Sequence, residues 1–116
     1  MTRRLYAQGD IILELVEDAT TAGVPVPHDP DGAVVLARGE LTGHRHAFHG
    51  GGVTLFRDDS LARDVPSDLY IGHIRISVPA AHLQHEEHAT ISLPAGTYRV
   101  RRQRKWDARG PQLIWE

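Results

Sequence analysis

Seven of the chain's eight histidines fall between His44 and His88, and four of them form two tight groups, His44 with His46 and His85 with His88. Imidazole is the commonest protein ligand for transition metals. On a β-strand the side chains of residues i and i+2 point to one face, so a His-x-His strand can offer two ring nitrogens to one ion. The second group interleaves carboxylates, His85-Glu86-Glu87-His88. Two or three of these histidines with a carboxylate make a nitrogen and oxygen donor set that suits Zn, Fe(II), Ni or Mn. With an open coordination position and Glu86 or Glu87 as general base, such an ion would carry out metal-assisted hydrolysis or isomerisation of a small-molecule substrate. A closed four-ligand site would be structural, and the residues do not separate the two.

The second group constrains itself. On a regular strand His85 shares a face with Glu87, and His88 with Glu86. A bulge or a single helical turn would relax this. The face that runs on to Ile91 and Leu93 reads as buried, which favours His85 and Glu87 inside, with His88 kept as a ligand candidate. His49 and His82 read as surface or supporting groups, His73 as a half-buried histidine with its hydrogen bonds met, and His28 as a loop residue without a role. The histidines have a plainer use as well: hydrogen bonding or subunit contacts, in an oligomer that loosens below pH ~6.5.

Other chemistries lack their residues. The zinc-protease helix motif needs histidines four apart, and His85 and His88 are three apart. There is no Gly-x-Ser-x-Gly elbow, and Gly50-Gly51-Gly52 lacks the Lys and Ser/Thr of a phosphate loop. The chain has no cysteine, which removes disulfides, thiolate ligands and thiol nucleophiles together.

The elements that must position the histidines read as short apolar runs broken by Gly, Pro and Asp, the pattern of an all-β domain. Residues 11–16 alternate as a strand with Ile11, Leu13 and Leu15 on one face. Residues 18–32, with Pro25, Pro27 and Pro30, form a loop, and residues 33–37 a short buried strand. The histidine strand spans 41–49, with His44, His46 and Phe48 facing one way. The three glycines then predict a hairpin back into residues 53–57. Residues 58–68 form a loop with one helical turn near Leu61, and residues 69–78 a strand. Residues 80–88 are open between helix and strand; alternation in residues 89–93 extends a strand back through the histidines. Pro94-Ala95-Gly96 reads as a tight turn, residues 98–106 as a long polar strand, and residues 112–115 as a closing strand. With 116 residues and 41% hydrophobic content this is one domain able to bury a core. Its many short strands predict a small barrel or a jelly-roll-like, cupin-like sandwich.

A second feature is the basic run Arg99, Arg101, Arg102, Arg104 and Lys105 ending at Trp106. A basic strand with aromatics can bind RNA or single-stranded DNA, or an acidic partner protein; its plainer reading is a solvated edge strand that blocks aggregation. The formal net charge of −2 excludes a globally basic nucleic-acid binder. Without a signal peptide pattern or an apolar run of about 20 residues, the expectation is a soluble cytoplasmic protein.

Two resemblances follow from the motifs. Gly39-Glu40-Leu41-Thr42-Gly43-His44-Arg45-His46 resembles the first half of a cupin motif, and Pro94-Ala95-Gly96 the turn of the second. That resemblance implies a double-stranded β-sandwich whose histidines and glutamate hold a metal. The chain departs from it: no glutamate follows His46 at the usual distance, and His85 and His88 precede Gly96. Over more of its length, Gln8-Gly9-Asp10-Ile11, Thr42 to His46, His85 to His88, Leu93-Pro94-Ala95-Gly96-Thr97-Tyr98 and Arg101 to Arg104 resemble small bacterial and phage proteins of unassigned function.

Overall fold

Alternating apolar residues build antiparallel strands here because each strand has one face to bury. The structure, a computed structural model, describes residues 4–16, 23–39 and 42–103. Its strands are β1 (Leu5–Gln8), β2 (Ile11–Val16), β3 (Val24–Pro25), β4 (Val34–Arg38), β5 (Arg45–Phe48), β6 (Val53–Arg57), β7 (Tyr70–Gln84) and β8 (Ile91–Arg102), with a 3₁₀ turn at Asp59–Ala62. The domain is all-β, as expected. The eight strands form one antiparallel sheet in the order β1-β2-β8-β7-β5-β4, with β6 on β7 and β3 on β6. The sheet is not closed into a barrel: β1 and β4 stand at its two ends. Its twist still brings both ends to one core, where Ile11 and Leu13 of β2, Leu36 of β4 and Phe48 of β5 join Ile74, Leu83, Leu93 and Val100.

Four expectations are corrected. The glycines 50–52 do not make a hairpin. β5 and β6 never pair with each other; both lie along the same side of β7, with Phe48 opposite Leu83 and Val53 opposite Ile76. The glycine segment carries the chain from one section of β7 to the next and passes close over it. Gly52 has φ +88, and a Cβ there would sit 2.3 Å from Val78 Cγ1. Pro94-Ala95-Gly96 is not a turn but part of β8, with Pro94 opposite Ala80 and Gly96 opposite Ile76. Three residues of β7 face one of β8 between those pairs, a bulge that accommodates a proline without a ladder donor.

The third correction concerns residues 85–88. They lie in the loop between β7 and β8, neither helix nor strand. β7 runs straight through Pro79 to Gln84 instead. The fourth concerns the polar strand. β8 is buried at its centre, with Tyr98 and Val100 fully enclosed and Arg99 only 8% exposed. Arg99 donates to the Ala62 carbonyl at 3.0 Å and to Asp64 at 2.9 Å, and it pairs with Glu14. Burial works against its charge, but Asp64 and Glu14 more than offset this and raise its pKa. Arg99 is therefore not presented to a nucleic acid or partner. Arg104, Lys105, Trp106 and the closing strand at residues 112–115 lie outside the described residues. Among the described residues no helix is long and apolar enough to cross a membrane.

Candidate metal centre

His46 is positioned by β5, which is held between β4 and β7. Opposite it β4 bulges, fitting Leu36 between Val35 and Ala37, the partners of Ala47 and His46. Of the two histidines in the motif, only His46 is on the strand. His44 stands just before it, in a turn where His44 N donates to Thr42 Oγ1 at 3.2 Å and the His44 carbonyl accepts from Gly39 N at 2.7 Å. The regular same-face geometry expected of the pair is thus replaced by a strand residue and a turn residue.

The two histidine groups converge. The β7–β8 loop folds over the start of β5, and the His85 ring lies between the other two, 5.7 Å from His44 and 4.3 Å from His46, centroid to centroid. The His88 ring is 4.6 Å from His85 and nearly parallel to His46 at 6.0 Å. The loop is tied down by Glu86, whose Oε1 accepts from Arg45 N at 3.0 Å, 41 residues away. That bond is the main reason its pKa is lowered, so the carboxylate is charged. One ligand atom each from His44, His85 and Glu86 lie within 4.8 Å of one another. Glu87 is mostly exposed, with Oε1 3.4 Å from His44 Nδ1. Of the two glutamates, then, the loop brings Glu86 into the group and leaves Glu87 on its rim.

Gln8 and Gly9, which were quoted only within a motif, turn out to organise the inner side. The Gln8 side chain is 2% exposed. Its amide nitrogen donates to the carbonyls of Leu83 at 2.8 Å and Ala89 at 2.9 Å, which flank the histidine loop. Both partners are acceptors, so the amide orientation is dictated, and Oε1 faces His46 Nδ1 at 2.9 Å. An amide oxygen can only accept, so Nδ1 carries the proton and Nε2 keeps its lone pair. Burial chiefly, then the neighbouring His85, lowers the His46 pKa to about 4, which keeps the ring neutral near pH 7. An outer hydrogen bond that fixes the tautomer of a ligand imidazole is a usual companion of metal sites.

Gly9, with φ +57, fits against the rings: a Cβ there would lie 2.7 Å from His88 Nε2 and 3.3 Å from His46 Cε1. The signal for this element was the pair Gly9-Asp10 between Gln8 and Ile11, a two-residue hairpin loop joining β1 to β2. Asp10 and Arg102 face the same side, 3.5 Å apart, with Asp10 3.8 Å from His46 Nε2.

His85 has a competing engagement. Its Nδ1 accepts from Glu87 N at 3.0 Å and from His88 N at 3.3 Å. A metal bound at Nδ1 displaces both donors, and one bound at Nε2 needs the proton on Nδ1, which faces the same donors. Coordination by His85 therefore requires the loop to release these two bonds. In front of the histidines opens a cavity of about 190 Å³, walled by His44, His46 and His85 on one side and reached by Arg38 and Arg102.

The remaining histidines lie elsewhere. His82 is exposed and bonded to Ser92 Oγ at 2.7 Å, and His49 and His28 are exposed. His73 is buried, with Nδ1 2.8 Å from the Tyr70 hydroxyl.

The profile of an uncharacterised family, Domain of unknown function (DUF8820), matches residues 7–103. The chain belongs to this family. The matched segment contains β2 to β8 and every histidine of the cluster. No curated protein and no solved structure matches the chain.

Proposed function

We propose that this domain binds a divalent transition-metal ion between the turn before β5 and the β7–β8 loop. His44, His85 and Glu86 are the ligands, and His46 is a further nitrogen donor beside them. His88 supports the cluster by packing between His85 and Gly9. The observation that carries the reading is the approach of the His44, His85 and Glu86 ligand atoms to within 4.8 Å. Tetrahedral ligands about 2.0–2.1 Å from zinc stand about 3.3 Å apart. Side-chain rotation of the exposed Glu86 and half-buried His44 supplies that closure. Two imidazoles and a carboxylate suit Zn, Ni, Fe(II) or Mn. This two-segment arrangement is the logic the cupin resemblance implies, carried by a sheet that stays open.

An ion held by three of these donors would supply Lewis-acid chemistry at the cavity, and Glu87 on the rim would be the general base there. A metal-dependent hydrolytic or isomerising activity is the extension of this reading.

The test is metal content and affinity of untagged protein. One zinc, nickel or cobalt ion per chain is expected, with binding lost in His44→Ala and His85→Ala and kept in His82→Ala, whose ring lies apart from the cluster. Circular dichroism checks that the variants fold. Failure of the folded wild-type chain to bind any of these ions rejects the proposal. Equal affinity in wild type and in folded His85→Ala rejects the ligand assignment.

A further inference from the structure

The cavity in front of the cluster has a composition that selects its occupant. Its volume, about 190 Å³, is room for about six waters at ~30 Å³ each. Among the described residues Ala37 supplies the one apolar side chain of its lining. An apolar ligand would therefore gain little by entering. Two guanidinium groups, Arg38 and Arg102, reach the cavity from different strands, β4 and β8.

Neither guanidinium is used up by its protein partner. Arg102 Nη1 is 3.5 Å from Asp10 Oδ2, well beyond the ~2.7–2.9 Å of a charge-assisted hydrogen bond, and its side chain is 41% exposed. Arg38 meets Asp29 through Nη2, and a guanidinium has five donors. With a divalent ion in place, its charge would add to two guanidinium groups that keep donors free, Arg38 sharing Asp29 with Arg45 and Arg102 standing 3.5 Å from Asp10. Arg102 lines the same cavity as the imidazoles of His44, His46 and His85, so the cation and the rings share a common space.

We propose that this cavity receives a small oxyanion, a carboxylate or a phosphate, with one oxygen directed to the metal and the anion's remaining oxygen or oxygens facing Arg102 and Arg38. The inference rests on the metal-binding reading and specifies the ligand class of that same site. A planar guanidinium is suited to the oxygens of a carboxylate or phosphate, and a divalent ion to one of those oxygens. A neutral molecule of the same size would bring no charge to those guanidinium donors or to the ion.

The experiment uses the full chain loaded with cobalt(II), after cobalt affinity has been measured. Acetate, malonate and inorganic phosphate are titrated, with acetamide as the neutral control, and the visible cobalt spectrum and the heat of binding are followed. The oxyanions are expected to change the cobalt spectrum and saturate, with acetamide silent. Arg102→Gln should weaken oxyanion binding about tenfold or more without weakening cobalt binding. Arg38→Gln, on the other wall, should act the same way. Stronger binding of malonate or of phosphate tells which oxyanion the cavity takes, and either supports the inference. Bound cobalt that ignores every oxyanion overturns the inference and leaves the metal reading standing, as does unchanged oxyanion affinity in both arginine variants. A chain that takes up no cobalt overturns both.

Discussion

Replacing Gln8 by leucine tests the idea that one buried amide organises the histidine cluster. Leucine keeps most of the volume but none of the polar contacts. The substitution strands the Leu83 carbonyl and the His46 Nδ1–H, both buried, and the Ala89 carbonyl, which is only part-buried and reachable by water. A buried polar group left without its partner costs about 1–3 kcal/mol. Two such groups give about 2–6 kcal/mol, with the third compensated by solvent. In a domain of this size about 4 °C of melting temperature goes with each kcal/mol, so the midpoint should fall by about 8–24 °C. The same change frees the His46 tautomer and unpins both ends of the β7–β8 loop. Loss of such outer hydrogen bonds typically lowers metal affinity about 10–100-fold. Calorimetric melting and zinc titration read the two effects, and the nitrogen chemical shifts of the His46 ring report which nitrogen holds the proton. A Gln8→Leu protein that melts within about 2 °C of wild type, with the Nδ1–H tautomer intact, would refute the reasoning.

Gly9→Ala places a Cβ at φ +57 and against the His88 ring; it should cost somewhat more than ~1 kcal/mol and weaken metal binding, read by melting and zinc titration. Arg99→Met removes the partner of a buried carboxylate, that of Glu14, and should cost about 3–5 kcal/mol, while Glu14→Leu with Arg99→Met should recover much of it; chemical denaturation of both variants decides. His73 has its pKa lowered, first by burial and then by Arg99. The unfolded chain therefore binds a proton at His73 where the folded chain does not. Its stabilising contribution is complete above pH ~6.5 and declines as pH falls from there toward the depressed folded value. In denaturation at pH 7.5 and pH 5, His73→Phe should show a smaller pH-dependent loss than wild type, and an unchanged slope would count against this. Finally, metal binding should speed hydrogen exchange at the Glu87 and His88 amides, because both now donate to His85 Nδ1; amide exchange with and without zinc checks it.

Much of the fold was legible because period-two alternation is a local property. The strands at residues 11–16 and 53–57 and the helical turn around Leu61 lie where apolar spacing and turn residues put them, and the strand read at 33–37 lies at 34–38. Registers between strands were not legible. Whether Gly50-Gly51-Gly52 turns a hairpin or bridges two stretches of β7 depends on which strand the flanking residues pair with, and that is decided by the common core. Likewise Pro94 looks like a breaker until a bulge on the neighbouring strand is known. The run of arginines on β8 looked solvated, yet Arg99 is enclosed because Glu14 and Asp64, 85 and 35 residues away, meet it there.

Sequence by itself determined the donor chemistry: nitrogen and oxygen ligands, no thiolate, in two histidine segments about forty residues apart. Residue types and short spacings are carried by the chain whatever its fold. Only the tertiary structure decided that the β7–β8 loop lies over the start of β5, that Glu86 rather than Glu87 joins His44 and His85, and that Gln8 from β1 sets the proton on His46. These contacts join residues 38 to 81 positions apart. They exist because sheet pairing and core burial bring the segments together, which no local pattern encodes.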